Sequence, residues 1–518
     1  MVTRRNLLRY VGALGAATGA SMLGGRTSPA WAQGSAGAGS GATLEVAQAA
    51  DIVSWDPHVS QTTFFRMINT AIFDDLMSVD PNTLAVAPSL AETVRQPNPV
   101  TIDMKLRDGV VFHSGHPMTS ADVKYSLERV ANPATGSPLR ATIATMQSVA
   151  AVDKSNVRIT LTQPDPGFLT SLHKIRILCA ATDATLTKQP NGTGPFRFAE
   201  WNPNQNVRLQ RFEKYRIPGH PVLGGVNYRV IPEAGARIAA LQTGEAHVVI
   251  LVSFQDVATL GRQPGIVLHP PKALDIGDVL FMNGRRKPLN DVRVRQAVAY
   301  AFAKELYVQQ FLHEHGIVNM TPHSPANWAH NPGQRHRYST DLSTAAKLVA
   351  EAGYPGGRGL SFDFIFPTGY PEWRSAGEMF ENQMRALGAT VNVEELQVPV
   401  WVQRITQTHQ FDLAFNNLGG ATLDPSVPYT NGFMFTQGDG GVPGWNDSAL
   451  ASLMLEARVG TQAERKDKYF RIQQQWNDNM YTLILGQKQF FHATRNNVTN
   501  WVTHPTYEQS WSDVGIRA

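Results

Sequence analysis

Cysteine is almost absent from this chain: 518 residues hold a single one, Cys179. That excludes an intramolecular disulfide and any cysteine-rich metal site, and between Leu178 and Ala180 the thiol reads as a small buried apolar group. Charge is sparse as well, at 17% against 42% hydrophobic residues, which is the balance of a globular chain long enough for two or more domains. Several catalytic signatures are missing, among them G-x-S-x-G, H-E-x-x-H, G-x-x-x-x-G-K-[ST] and G-x-G-x-x-G. His313-Glu314-His315 has the wrong spacing for two zinc ligands on one helical face, and scattered Ser, His and Asp residues do not make a triad, which geometry defines. No repeat of fixed period is visible, and nothing argues for an enzyme or a resident cofactor.

The excess of positive charge is local. Residues 1–32 carry Arg4, Arg5, Arg9 and Arg26 and no acid, so the formal +4 of the whole chain becomes +4 − 4 = 0 beyond them. A neutral body gives no electrostatic case for nucleic acid or an anionic membrane. The same leader holds Thr3-Arg4-Arg5-Asn6-Leu7-Leu8, an Ala/Gly-rich apolar run at 10–25, and Ala30-Trp31-Ala32. It resembles a twin-arginine export signal. The run is too short and glycine-rich to span a bilayer, and no cysteine follows it to carry a lipid. The expectation is export to the periplasm of a soluble protein beginning near Gln33, with a disordered Gly/Ser/Ala linker over 33–41.

Residues 100–130, VTIDMKLRDGVVFHSGHPMTSADVKYSLERV, organise the rest. Ile102, Met104 and Leu106 alternate with polar neighbours as a half-buried strand. Arg107-Asp108-Gly109 turns the chain, and 110–113 reads as the partner strand of a hairpin. Thr119 caps a helix, with Asp122 at the capping-box position and Val123, Leu127 and Val130 along one face. This block, written KLRDGVxFHxGxPxTxxDVxYSLER, resembles the signature region of the extracellular solute-binding proteins of the peptide and nickel ABC importers (family 5). Further stretches agree with that resemblance: Ser54-Trp55-Asp56-Pro57 before a helix at 64–76, the turn Gly192-Thr193-Gly194-Pro195-Phe196 with Trp201, and Asp291-Val292-Arg293-Val294-Arg295-Gln296-Ala297 opening a helix. Strands alternating with helices from 341 onward argue for α/β organisation with largely parallel sheets.

The resemblance implies a two-lobed α/β periplasmic binding protein fold with an extra subdomain inserted in the first lobe. The first lobe would run over 42–276, with its insertion at about 80–185. The second would span 277–487, its last stretch (448–479) helical, and 488–518 would return to the first. It further implies capture of a peptide or peptide-like solute between the lobes by a monomer, delivery to a permease with its ATPase subunits, and no cofactor. Site residues implied by the family pattern are Phe64, Phe65 and Arg66 on one side, Tyr370, Trp373 and Trp401 as aromatic walls, and Asn416, Asn417 and Asp424 opposite.

Departures from the family pattern bear on the ligand. Dipeptide binders of this family hold the amino group with an Asp shortly before a D-P pair; here Gly420, Ala421 and Thr422 precede Asp424-Pro425. Pro367-Thr368-Gly369-Tyr370 occupies the region of their carboxylate-binding Arg, and Ser426 stands where nickel binders tend to place a His. An unpaired buried ammonium or carboxylate is costly, so a zwitterionic dipeptide is disfavoured against a longer or modified peptide or a non-peptide solute. The alternative is a metal or metal-chelate carrier using His313, His315, His323, His330 and His336. Pro322, Pro325 and Pro332 instead mark that stretch as an irregular polar loop.

Overall fold

Three sheets of four or more strands carry the described residues, with two further two-stranded sheets. The computed structural model describes residues 41–420, 423–430 and 434–517; the expected leader at 1–32, nearly all of the linker, and Ala421 and Thr422 lie outside them. The fold is the two-lobed α/β architecture of periplasmic binding proteins. In the first lobe a seven-stranded sheet runs in the order Ile266–His269, His492–Arg495, Val248–Val249, Thr43–Gln48, Gly225–Val230, Asn206–Arg211, Phe196–Asn202. In the second, a six-stranded sheet runs Gly316–Val318, Thr482–Lys488, Ile276–Met282, Leu413–Leu418, Ser361–Pro367, Thr390–Leu396.

Both sheets are mixed, and the expectation of largely parallel sheets is corrected. Thr43–Gln48 is parallel to Gly225–Val230 and to Val248–Val249, and Ser361–Pro367 to Thr390–Leu396 and Leu413–Leu418; the other neighbours in the two sheets pair antiparallel. Parallel pairing needs a crossover. The helices Pro371–Ala386 and Val398–Thr406 supply it between successive strands of the second sheet, whereas hairpins and long-range returns bring in the antiparallel members.

The block at 100–130 sits in a separate four-stranded antiparallel sheet, in the order Ala91–Asn98, Thr101–Leu106, Asn156–Leu161, Met146–Ala151. Ile102, Met104 and Leu106 are buried there with Val123, Leu127 and Val130 of the helix Ser120–Ala131. The Asp122 carboxylate accepts the Thr119 N–H at 2.9 Å and closes the capping box. The hairpin expected over 101–113 does not form. Thr101–Leu106 already has a strand on each edge, so 110–113 pairs locally instead, with Met118 N–H donating to Val110 and Phe112 N–H to His116. The helical stretch expected over 448–479 is built of two helices, Ser448–Glu456 and Gln462–Asn479. Gly460 at φ +108 breaks it, and Thr461 with Glu464 caps the second piece.

Two glycines explain the G-T-G-P-F turn. A Cβ on Gly194 would lie 2.6 Å from the Ile72 carbonyl carbon, and one on Gly192 would overlap the Ile72 carbonyl oxygen. Gly194 N–H donates to that same oxygen at 2.8 Å. The glycines therefore let this turn seat against the end of the helix Thr63–Ile72 and are not a phosphate loop.

The chain passes from the first sheet to the second between His269 and Ile276, and back between Lys488 and His492. The crossing strands are tied where they meet. Lys488 Nζ lies 2.7 Å from Asp278 and 3.3 Å from Glu372, all three buried, and the Tyr307 hydroxyl donates to Asp278 at 2.7 Å. Burial alone would lower the Lys488 pKa, but Asp278 and Glu372 outweigh it and hold the ammonium above its ordinary value.

Candidate ligand-binding cleft

A cavity of about 400 Å³ lies between the lobes, within the range of sites for small organic ligands. Its first-lobe wall comes from the loop and helix around Ser60 to Arg66, from Leu139, Thr142 and Lys174, and from Thr506 and Tyr507 near the end of the chain. The helix Thr63–Ile72 is apolar on the side that meets the lobe core, where Phe65, Met67 and Ile68 are buried. One step along, Phe64 and Arg66 reach the cavity.

Opposite stands an aromatic stack. Tyr370 lies face to face with Trp373 at 4.0 Å, and Trp373 with Phe415 at 5.3 Å. The Trp373 indole N–H donates to Asp278 at 3.2 Å, and Lys488 lies 5.2 Å from its ring. This part of the wall is thus anchored to the ion cluster beneath it. Tyr370 also reaches across, its hydroxyl donating to Thr63 at 3.1 Å. Gly369, at φ +101, comes so close to the first lobe that a Cβ would sit 3.5 Å from the Phe64 ring. The helix Val398–Thr406 presents Val398, Trp401, Val402 and Ile405 at helical spacing to the cavity.

Several buried polar atoms around the cavity have no hydrogen-bond partner among the described residues: Ser60 Oγ, Thr62 Oγ1, Trp401 Nε1, Asn417 Oδ1 and the Tyr507 hydroxyl. Buried polar groups are nearly always paired, so these exceptions, all on residues that line the cavity, single out its walls. The charged lining side chains are Arg66 and Lys174. Burial, and then the charge of Arg66, push the Lys174 ammonium down to about 8, while Asp275 and Glu508 work against the shift. Burial also lowers the Arg66 pKa. Both carboxylates are engaged elsewhere. Glu508 lies 2.7 Å from Arg176 and is held down at about 2 despite its burial, and Asp275 accepts the Gly420 N–H at 2.7 Å.

Of the residues expected at the site, Phe64, Arg66, Tyr370, Trp373, Trp401, Asn416 and Asn417 line the cavity. Phe65 and Asp424 do not. Phe65 is fully buried with its ring edge-on to Trp55 at 6.2 Å. Asp424 pairs with Arg465 at 2.8 Å and accepts the Ser426 hydroxyl at 2.7 Å. Lys174, Thr506 and Tyr507 were not legible from sequence: Lys174 lies two residues from Arg176, which is buried for structural reasons, and nothing in His173-Lys174-Ile175-Arg176 tells the two cations apart. Among the described residues no group of three or more His, Cys, Asp or Glu side chains is placed to hold a metal. His323 is buried against the Pro425 carbonyl and His330 lies on Asn319.

The model of bacterial extracellular solute-binding proteins, family 5 (middle), matches residues 85–440. The chain belongs to that family. As a sequence, this family 5 protein is 27% identical over 338 residues to the glutathione-binding protein GsiB of Pectobacterium atrosepticum, covering 64% of its own length and 63% of the relative's. The match therefore spans less than two thirds of that relative. In fold it is similar to the oligopeptide-binding protein AppA of Bacillus subtilis in complex with a nonapeptide (TM-score 0.83, 22% identity, 93% of this chain and 100% of that one). It is equally similar to the binding protein AgaA of A. tumefaciens R10 in complex with agropinic acid (TM-score 0.83, 21% identity, 92% and 99%). At these identities the structural likeness establishes the fold of this solute-binding protein and leaves its ligand open.

Proposed function

We propose that this protein is the exported, periplasmic solute-binding component of an ABC importer, capturing a small organic solute between its lobes and handing it to the permease and its ATPase subunits. The observation that carries the reading is the interlobe cavity, walled by apolar, aromatic and polar side chains of both lobes. A ligand touching both walls favours the closed arrangement by its differential affinity, and two chain crossings permit the hinge motion this requires. The relatives are named for glutathione, oligopeptide and agropinic acid, so family membership supports solute binding without selecting a solute. A peptide-like ligand remains compatible where its polar backbone meets Asn417, Thr62 and Tyr507.

The test is mass spectrometry of small molecules released by denaturing the purified protein, followed by titration of the recovered compound. One organic solute at near-stoichiometric amount is the expected result, with Trp401→Ala weakening it about tenfold or more, as loss of an aromatic wall would. Absence of any released or titratable solute would overturn the proposal. Export is tested separately: Arg4→Lys with Arg5→Lys should leave the protein inside the cell if the twin-arginine leader directs it.

A further inference from the structure

Arg66 and Lys174, both half-buried, stand apart from the ion-paired cations of this molecule. Arg176 holds Asp75 and Glu508, Arg129 holds Asp56 and Asp183, and Lys488 holds Asp278 and Glu372. Arg66 and Lys174 have neither an ion pair nor a side-chain hydrogen bond with any described residue, and both face the cavity. They come from different parts of the first lobe, the helix Thr63–Ile72 and the segment Leu172–Lys174, yet lie near enough that Lys174 feels the charge of Arg66. The fully buried Asp275 and the Arg176-bound Glu508 offset part of that repulsion from behind the wall. Among the described residues no Asp or Glu side chain lines the cavity.

Two neighbouring half-buried cations without a counter-ion repel each other, and an anionic occupant relieves that repulsion. A guanidinium fork and an ammonium together suit an oxyanion head, the first by bidentate geometry and the second as a point charge. The opposite wall offers the apolar face of the helix Val398–Thr406 together with the uncharged polar residues Gln403, Asn416 and Asn417, which match an uncharged remainder carrying hydroxyl or amide groups. A free ammonium would find no carboxylate among the described residues lining the cavity.

We infer that the solute taken by this cleft is an organic anion without a compensating ammonium, its oxyanion head held by Arg66 and Lys174 and its neutral body laid against Trp401. The inference rests on the solute-binding role proposed above and specifies the charge class of that solute. To test it, a small-molecule extract is split by ion exchange into anionic, neutral and cationic pools, each pool is offered to the purified protein, and the captured compound is identified by mass spectrometry. Capture from the anionic pool is expected. The captured compound, repurified, should then bind about tenfold to a hundredfold more weakly to Arg66→Gln, the range for losing a charged hydrogen bond. Lys174→Gln should weaken it less, and Arg66→Lys, which keeps the charge and loses the fork, should fall between Arg66→Gln and the parent. Unchanged or higher melting temperatures in the two glutamine variants establish that folding is intact, since each removes an unpaired charge. Capture from the neutral or cationic pool, or an anion bound equally by the Arg66→Gln, Lys174→Gln double variant, overturns the inference and leaves solute binding standing. Capture from no pool overturns both.

Discussion

Lys488 is the residue on which the cleft floor and the crossing strands both depend. It neutralises Asp278 and Glu372 beneath the stacked Trp373. Lys488→Met would strand two buried carboxylates, and urea denaturation should show a loss of about 3–5 kcal/mol, the cost of breaking a buried pair. Adding Asp278→Asn should recover part of that loss. A second residue-scale prediction concerns protons. Burial holds His58 and His323 at about 4, against 6.5 for an ordinary histidine. As pH falls from 6.5 toward 4 the unfolded chain takes up protons that the folded one does not, so the stability these groups contribute is present above 6.5 and lost across that window. Asp75, pushed up to about 7 by its burial, works in the opposite direction. The measurement is therefore the slope of melting temperature against pH, which should be shallower in His323→Gln than in the parent. At this scale the family pattern names Tyr370, Trp373 and Trp401, and all three line the cavity. It could not separate Phe64 from Phe65, because adjacent helical residues point about 100° apart and only packing decides which meets the core.

Among the elements, the helix Ser120–Ala131 shows what the signature block does. Its Arg129 closes on Asp56 of the Asp56-Pro57 loop through both guanidinium nitrogens, at 2.5 and 3.1 Å, and also meets Asp183 at 3.2 Å. Two motifs far apart in sequence are thus one junction, which fixes the loop leading into the cavity-lining helix. Arg129→Ala should destabilise the protein by roughly 3 kcal/mol, since it leaves a mostly buried Asp56 unpaired, read by chemical denaturation. Gly192→Ala should be as damaging for a different reason, because the new methyl has no room beside the Ile72 carbonyl. Periodicity was sufficient for the strand Thr101–Leu106 and for this helix, where one face is apolar and the other wet. It failed for 110–113 because a strand's partner is chosen by the whole sheet, and Asn156–Leu161 had already taken that edge. It failed for the sheets' direction for the same reason: several antiparallel members, such as His492–Arg495 and Thr482–Lys488, are supplied by residues far away in sequence.

For the whole molecule, the crossings at 270–275 and 489–491 confine bending to two short passages, while the strands on either side are tied by hydrogen bonds and the Lys488 cluster. Titration with a bound solute should therefore reduce the radius of gyration in X-ray scattering as the lobes close, and Tyr370→Phe, which loses the bridge to Thr63, should shift the unliganded protein toward the open form. The return of the chain to the first sheet has a consequence in time. Thr506 and Tyr507 complete a wall begun by Ser60 and Arg66, and Glu508 anchors Arg176 beneath it. A nascent chain holds nearly every other wall residue long before these arrive, yet has no finished cleft. The order of synthesis thus leaves the cleft unfinished until residues 506–508 have left the ribosome.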